Sequence, residues 1–351
     1  MSYIAKPKVH HPSLQKNQIG LTRRDYEGAI TTLCAGCGHD SITAAIIQAF
    51  WDLSIPPHRV AKLSGIGCSS KTPAYFLREA HGFNSVHGRM PAIATGANAA
   101  NGDLTYIGVS GDGDSLSIGL GQMCHAIRRN VNLLYVLENN GVYGLTKGQF
   151  SASADKGSTA KKGEANSMEA IDSVLLALTL GATFVARSFS GDKAQLVPII
   201  KAGLAHKGFA FIDVISPCVT FNDHDGSTKS YAYTRDHNVE IVQADFVPPA
   251  DEITTDYDAG TVQNLRMHDG TWVRLRKLAT NYDPTNRDVA YNYIRERQRA
   301  GEVLTGLLYI SPESRDMHDQ NETVARPLTE IPHAQLCPGS AELEKLQANF
   351  R

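Results

Sequence analysis

From about residue 31 to residue 216 the chain alternates short apolar runs with longer segments in which apolar residues recur at helical spacing. The runs at 60–63, 104–110, 132–137, 182–186 and 209–215 read as strands, and the segments 91–101, 115–129, 168–180 and 192–206 read as helices. Upstream, Asp40 can cap a helix through Ala44, Ala45, Ile46, Ile47, Ala49, Phe50 and Trp51 that ends at Pro56 and Pro57. Strands alternating with helices predict an α/β fold, an open, mostly parallel sheet with helices on both faces. Ligands of such sheets bind beyond the carboxyl ends of the strands, so the residues just after each run are where chemistry is expected.

The flanks break the pattern. Residues 1–30 are polar, carry Pro7 and Pro12, and predict an N-terminal arm that is ordered only by docking. Residues 31–220 form the expected ligand-binding domain. In 221–351 the alternation stops, prolines gather at Pro327, Pro332 and Pro338, and an irregular C-terminal extension is expected that covers the core or a neighbouring subunit.

Composition narrows the partners. Of 351 residues 42% are hydrophobic and 20% charged, the balance of a chain that buries a core. A net charge of -2 gives no electrostatic reason to expect nucleic acid or an anionic membrane. The longest apolar stretch, 173–186, falls short of the ~20 residues of a membrane helix. The N-terminus lacks the apolar core of a secretory signal, so a cytoplasmic location is expected. In that reducing compartment six cysteines point to metal or redox chemistry rather than disulfides.

Gly111-Asp112-Gly113-Asp114 follows one strand and opens a helix. Backbone N–H groups and a helix start favour an anion there, and the glycines let it approach closely, so a phosphate fits. Asp112 adds a carboxylate, and Mg²⁺ on a diphosphate takes one or two of these with phosphate oxygens. The next strand ends at Glu138-Asn139-Asn140, which places Asn140 28 positions after Asp112. If the two strands are neighbours, the Asn140 amide oxygen and a turn carbonyl near Val142 complete a metal and diphosphate site. Either motif alone is an ordinary tight turn; together at adjacent strand ends they are a site.

Cys34-Ala35-Gly36-Cys37-Gly38-His39 sets two thiols on a glycine-rich turn. Cys68, in Gly65-Ile66-Gly67-Cys68-Ser69-Ser70, and Cys218, in Ser216-Pro217-Cys218, both follow predicted strands. Four thiolates suit tetrahedral Zn²⁺ or an iron–sulfur cluster, and ligand type alone does not choose. Cys68 follows Cys37 by 31 positions and Cys218 follows Cys68 by 150, wider than a zinc ribbon, which favours a cluster within a domain. Cys124 in a helical segment reads as core, and Cys337 as a non-ligand. His39, His87 and Arg89 are placed to face a ligand or to be satisfied structurally.

Taken in order, CAGCGH, GIGCS, GDGD with its downstream Asn-Asn, and SPC resemble the β subunits of the 2-oxoacid:ferredoxin oxidoreductases over roughly residues 30–220. The resemblance implies a thiamine diphosphate-binding fold with one 4Fe-4S cluster on Cys34, Cys37, Cys68 and Cys218. It implies Mg²⁺ on Asp112, Asn140 and the Val142 carbonyl. Cofactor contacts are implied for Gly67, Ser69, Gly111, Asp112, Gly113, Asp114, Ser115, Asn140 and Val142. The loop from Val142 to Gln149 looks like the 2-oxoglutarate branch, where the pyruvate branch commonly carries Asn in place of Leu145; Leu145 and Lys147 join His39, His87 and Arg89 as pocket candidates. The implied reaction is oxidative decarboxylation of 2-oxoglutarate to succinyl-CoA, with electrons leaving to ferredoxin. In that family an α subunit supplies the glutamate that activates the cofactor, so an α2β2 assembly is expected. Pyruvate or a broad range of 2-oxoacids is the alternative substrate. A non-redox thiamine-dependent decarboxylase with structural cysteines, and a zinc-bound scaffold, are the alternatives of other classes.

Overall fold

The computed structural model describes residues 11–146, 148–158, 165–219, 252–266, 272–337 and 339–350. In chain order the elements are α1 (Gly38–Asp52), β1 (Val60–Ser64), β2 (His81–Asn84), α2 (Met90–Ala100), β3 (Thr105–Gly111), α3 (Leu120–Arg128), β4 (Leu133–Asn139), a small hairpin β5 (Val142–Tyr143) and β6 (Gln149–Phe150), α4 (Ser173–Thr179), β7 (Phe184–Phe189), α5 (Lys193–Ala205), β8 (Phe209–Ile215), β9 (Val262–Arg266), β10 (Trp272–Lys277), α6 (Arg287–Arg299) and β11 (Val303–Ile310).

Among the described residues one sheet of nine strands runs β2-β1-β3-β4-β8-β7-β11-β10-β9. The first six strands are mutually parallel. Successive side chains of a strand point to opposite faces, and the core divides accordingly. Leu133, Tyr135 and Leu137 of β4 with Phe209 and Phe211 of β8 pack under α2, α3, α4 and α6. Leu134, Val136, Ala210, Ile212 and Val214 pack under α1 and α5. Each face is sealed by helices, as the continuous apolar runs require.

The chain enters at β1, steps outward to β2, then crosses to β3 on the other side of β1. That reversal opens a crevice at the carboxyl ends of β1 and β3. Helix formation after β3 is not regular: a π-helical turn over Gly113–Ile118 precedes α3, where a continuous helix from 115 is expected. Such turns widen the backbone spiral and are frequent at functional sites.

The flanks differ from expectation in one respect. The described residues 11–30 of the N-terminal arm contact the domain: Glu27 bridges Phe76, and the Asn17 amide donates to the Trp51 carbonyl at 3.2 Å. The C-terminal extension, however, is not irregular throughout. β11 pairs antiparallel with β7, β10 parallel with β11, and β9 antiparallel with β10. The reason lies in half-buried alternation, as in Trp272-Val273-Arg274-Leu275, where Val273 and Leu275 are buried and their neighbours are exposed. No helix among the described residues is long and apolar enough to cross a membrane.

Candidate active site

The loops after β1, β3, β4 and β8 meet at one edge of the sheet. Register places Gly111 opposite Glu138, and Asn139 opposite Ile215, so the loops that leave β3, β4 and β8 start level with one another. His39, Gly67, Cys68, Ser69, Gly111, Asp112, Gly113, Asp114, Asn140, Val142 and Tyr143 line one narrow recess there. A Cβ on Gly111 would stand 2.5 Å from the Ser69 hydroxyl, and one on Gly113 2.6 Å from the Tyr143 ring. Only glycine lets these loops close, and that closeness turns backbone rather than side chains to a ligand.

Asp112 is buried, and its Oδ2 accepts from the Gly141 N–H at 2.8 Å, the Ser153 hydroxyl at 2.7 Å and the Ser151 hydroxyl. Asn140 Oδ1 accepts from the Val142 N–H at 3.1 Å, which shapes the turn. Asp112, Asn140 and Val142 thus share one corner of the recess and carry hard oxygen donors, the set Mg²⁺ takes. Asp114 works as a clamp. Its Oδ1 accepts from Gly88 N–H at 2.7 Å, Ile66 N–H at 3.1 Å and His87 Nδ1 at 2.5 Å, and its Oδ2 from the Ser110 hydroxyl at 2.6 Å. One carboxylate therefore ties the loops after β1, β2 and β3 together. Because Nδ1 of His87 faces Asp114, Nε2 is the nitrogen left to face outward.

Ser115 differs from the other motif residues. Its hydroxyl donates to Ser110 at 2.8 Å and pairs with the Tyr135 hydroxyl at 2.5 Å, beneath the recess rather than in it. Arg89 is exposed at the start of α2, and Leu145 is exposed on the hairpin loop. Lys147 lies outside the described residues.

The cysteine motifs are packed against each other. The Gly38 N–H donates to the Pro217 carbonyl at 3.4 Å, and His39 Nδ1 lies 2.6 Å from the Ser216 hydroxyl. A Cβ on Gly38 would stand 2.7 Å from that same hydroxyl oxygen, so CAGCGH and SPC meet only because residue 38 is glycine. Burial pushes the Cys37 thiol well up, with the nearby Cys218 adding to it; burial also raises Cys68, which Lys71 lowers and Cys34 raises. Cys218 thus lies near enough to Cys37, and Cys34 to Cys68, for their charges to interact. A buried thiol such as Cys37 ionises more readily when a positive group supplies the compensating charge, which is the condition a metal group meets. No three His, Cys, Asp or Glu side chains among the described residues are arranged to hold a single metal ion.

Glu138 stands between the two motifs. It is fully buried, its Oε2 accepts from the Thr72 hydroxyl at 3.0 Å, and Oε1 has no partner among the described residues. Burial pushes its carboxyl well above the usual range, and burial pushes His39 down to about 4. His39 Nδ1 approaches Glu138 Oε2 at 3.5 Å, and burial disfavours the charged form of both groups. Ser151, Ser153 and Thr72 carry no motif signal, and sequence reasoning does not single them out.

Residues 65–214 match the thiamine pyrophosphate enzyme family, C-terminal TPP binding domain. A 2-oxoacid:ferredoxin oxidoreductase subunit beta from Sulfolobus sp. is 44% identical over 191 residues, covering 54% of this chain and 63% of that subunit. The 2-oxoglutarate synthase subunit KorB of Methanocaldococcus jannaschii is 39% identical over 189 residues, covering 54% of this chain and 69% of that subunit. The solved 2-oxoglutarate:ferredoxin oxidoreductase from Magnetococcus marinus, with 2-oxoglutarate, coenzyme A and succinyl-CoA bound, superposes with a TM-score of 0.69 at 31% identity, over 88% of this chain and 90% of that one. This chain belongs to the 2-oxoacid:ferredoxin oxidoreductase β-subunit family. As a member of it, the chain carries a thiamine pyrophosphate-binding domain, and the GDG turn and the Asn140 turn both fall inside the matched span. The β-subunit match covers 63% of the Sulfolobus relative, less than two thirds of its length.

Proposed function

We propose that this chain is the β subunit of a 2-oxoglutarate:ferredoxin oxidoreductase. With an α subunit, in an α2β2 assembly, it converts 2-oxoglutarate and coenzyme A to succinyl-CoA and CO₂, with two electrons passing one at a time to ferredoxin. The observation that carries the reading is the single recess in which the GDG and Asn140 turns meet Cys68 and His39, with the other cysteine motifs packed alongside. When bound, thiamine diphosphate supplies the carbon nucleophile and electron sink for decarboxylation, and a 4Fe-4S cluster supplies a one-electron acceptor.

The chain's own part is to bind and orient. Asp112, Asn140 and the Val142 carbonyl fit Mg²⁺, and the glycine turns at 111 and 113 fit the diphosphate. Asp114 fixes the three loops, and His87 with it. Cys34, Cys37, Cys68 and Cys218 fit the cluster, and the buried Glu138 and His39 lie beside them. The exposed Leu145, on a loop of the 2-oxoglutarate type, and the relatives named for 2-oxoglutarate favour that substrate over pyruvate. No described helix spans a membrane, which fits a cytoplasmic enzyme.

The test is viologen reduction by the anaerobically purified chain with its α partner, given thiamine diphosphate, Mg²⁺ and coenzyme A, comparing 2-oxoglutarate with pyruvate. Reduction that needs coenzyme A and prefers 2-oxoglutarate is expected. A pyruvate preference overturns the substrate assignment and keeps the reaction. Protein without iron that still decarboxylates is a non-redox enzyme with structural cysteines. Cys218→Ala is expected to lose the cluster spectrum and viologen reduction while retaining thiamine diphosphate binding; an intact cluster removes Cys218 from the ligand set.

A further inference from the structure

Beneath the Asp112 corner lies a chain of buried polar groups of which only Asn139 belongs to a motif. The Ser153 oxygen stands 2.7 Å from Asp112 Oδ2 and 2.8 Å from Asn139 Oδ1. The Asn139 amide nitrogen donates to Asp213 Oδ1 at 3.0 Å. Asp213 Oδ2 accepts from Arg187 Nε and from the Ser173 hydroxyl, both at 2.8 Å. Arg187 and Asp213 stand opposite each other in the β7–β8 register, so the pairing is built into the sheet. The members Ser153, Asn139, Asp213 and Arg187 are each no more than 6% exposed.

Proton bookkeeping gives the chain a direction. Asp213, held by a guanidinium and a hydroxyl, stays an acceptor on both oxygens, so the Asn139 side facing it must be the NH₂. Asn139 therefore turns its carbonyl to Ser153. A serine hydroxyl has one hydrogen, and the charged carboxylate of Asp112 competes for it better than the amide carbonyl does. With Asn139 reversed, its NH₂ would donate to the Ser153 oxygen and its carbonyl would oppose the Asp213 carboxylate. Asp213 thus fixes the Asn139 amide, and Ser153, whose hydrogen goes to Asp112 rather than to Asn139, fixes one oxygen of Asp112.

We propose that Ser153 is a positioning residue for the cation-binding carboxylate of Asp112. This rests on the reading of Asp112 as a Mg²⁺ ligand. A carboxylate pinned on one oxygen by Ser151, Ser153 and the Gly141 N–H presents its rotamer to a cation already ordered, so that binding does not have to order it.

The test is Mg²⁺-dependent thiamine diphosphate binding, by calorimetry on the full chain with its partner subunit, in the wild type, Ser153→Ala and Ser153→Thr. Ser153→Ala is expected to raise the dissociation constant about tenfold, as for loss of a hydrogen bond to a charged group. Its melting temperature without cofactor stays near wild type, while the rise on adding cofactor shrinks. Ser153→Thr keeps the hydroxyl and is expected within about threefold of wild type, although the extra methyl is the worse fit. An unchanged constant in Ser153→Ala overturns the proposal, and so does Ser153→Thr binding more weakly than Ser153→Ala, which makes the role one of packing. If the wild type shows no Mg²⁺-dependent binding, the reading of the recess falls first and this proposal with it.

Discussion

Single residues decide how the recess closes. Asp112→Ala removes the carboxylate at the cation corner, and it is expected to weaken Mg²⁺-dependent thiamine diphosphate binding by about 100-fold or more, since contacts to charged groups are each worth roughly 1.5–3 kcal/mol. Iron content is expected to stay at the wild-type value, because the cysteines belong to other loops; calorimetry and an iron assay on one preparation check both. Two glycines give a paired test of crowding. A Cβ on Gly65 would meet Asp114 Oδ2 at 2.0 Å, and four donors hold that carboxylate in place. Gly65→Ala is expected to cost about 1–3 kcal/mol. Gly96, inside α2, has nothing within 4 Å of its Cβ position, and Gly96→Ala is expected to stabilise by about 0.5–1 kcal/mol. Denaturant unfolding of the two variants separates them by sign.

At the scale of elements, buried charge at the strand ends is the sensitive feature. Arg187 on β7 donates to Asp213 on β8 and, at 3.1 Å, to Asp172, which caps α4 by accepting from the Leu175 N–H at 2.8 Å and also accepts from Gln298 of α6. Burial pushes the Asp172 carboxyl upward, but the Arg187 guanidinium outweighs it and holds the group below its ordinary value. Arg187→Met leaves two buried carboxylates without their cation, a change that costs about 3–5 kcal/mol in dry interiors. The pair borders a cavity of about 360 Å³, so the lower end of that range is expected in urea unfolding. At the end of α5, His206 stands 2.8 Å from the Thr183 hydroxyl, and burial pushes it down to about 4 from 6.5. The unfolded chain takes up this proton first, so the stability it governs is complete above pH 6.5 and is lost as the pH falls towards 4. Thermal melts across that range are expected to fall less steeply for His206→Gln than for the wild type.

These elements also mark what the sequence discloses. The GDG, Asn140, Cys68 and Cys218 turns are legible because a strand-end loop is short and its residue types state their chemistry. Arg187 and Asp213 are not, since each reads only as a polar interruption of an apolar run. Their meaning lies in a register between strands, which is a property of pairing rather than of either segment. Ser151 and Ser153 are hidden for the same reason: a serine in a loop is ordinary until a carboxylate is folded against it. The strands β9 and β10 are missed because polar and basic residues between their apolar ones resemble a solvated segment, whereas β11 is an uncharged apolar run that carries the strand signal plainly.

In the whole molecule, the C-terminal strands complete the sheet rather than decorate it. β11 covers the edge of β7, and Leu304 and Leu308 enter the core beneath α4 and α6. A chain ending at residue 260 would leave β7 as an exposed apolar edge, which invites pairing between chains. Such a truncation is expected to aggregate, and sedimentation of the expressed protein against the full chain checks it.

The strand order also sets a schedule. β4 cannot gain its second neighbour until β8 exists, 76 positions later from Leu133 to Phe209, and β7 stays half-paired until residue 303 has left the ribosome. Non-local pairings of this kind close slowly. The Asn140 turn and the Cys218 turn, which hang from β4 and β8, therefore acquire their final spacing among the last events of folding, so a cofactor arriving early meets only the β1 and β3 half of its cradle.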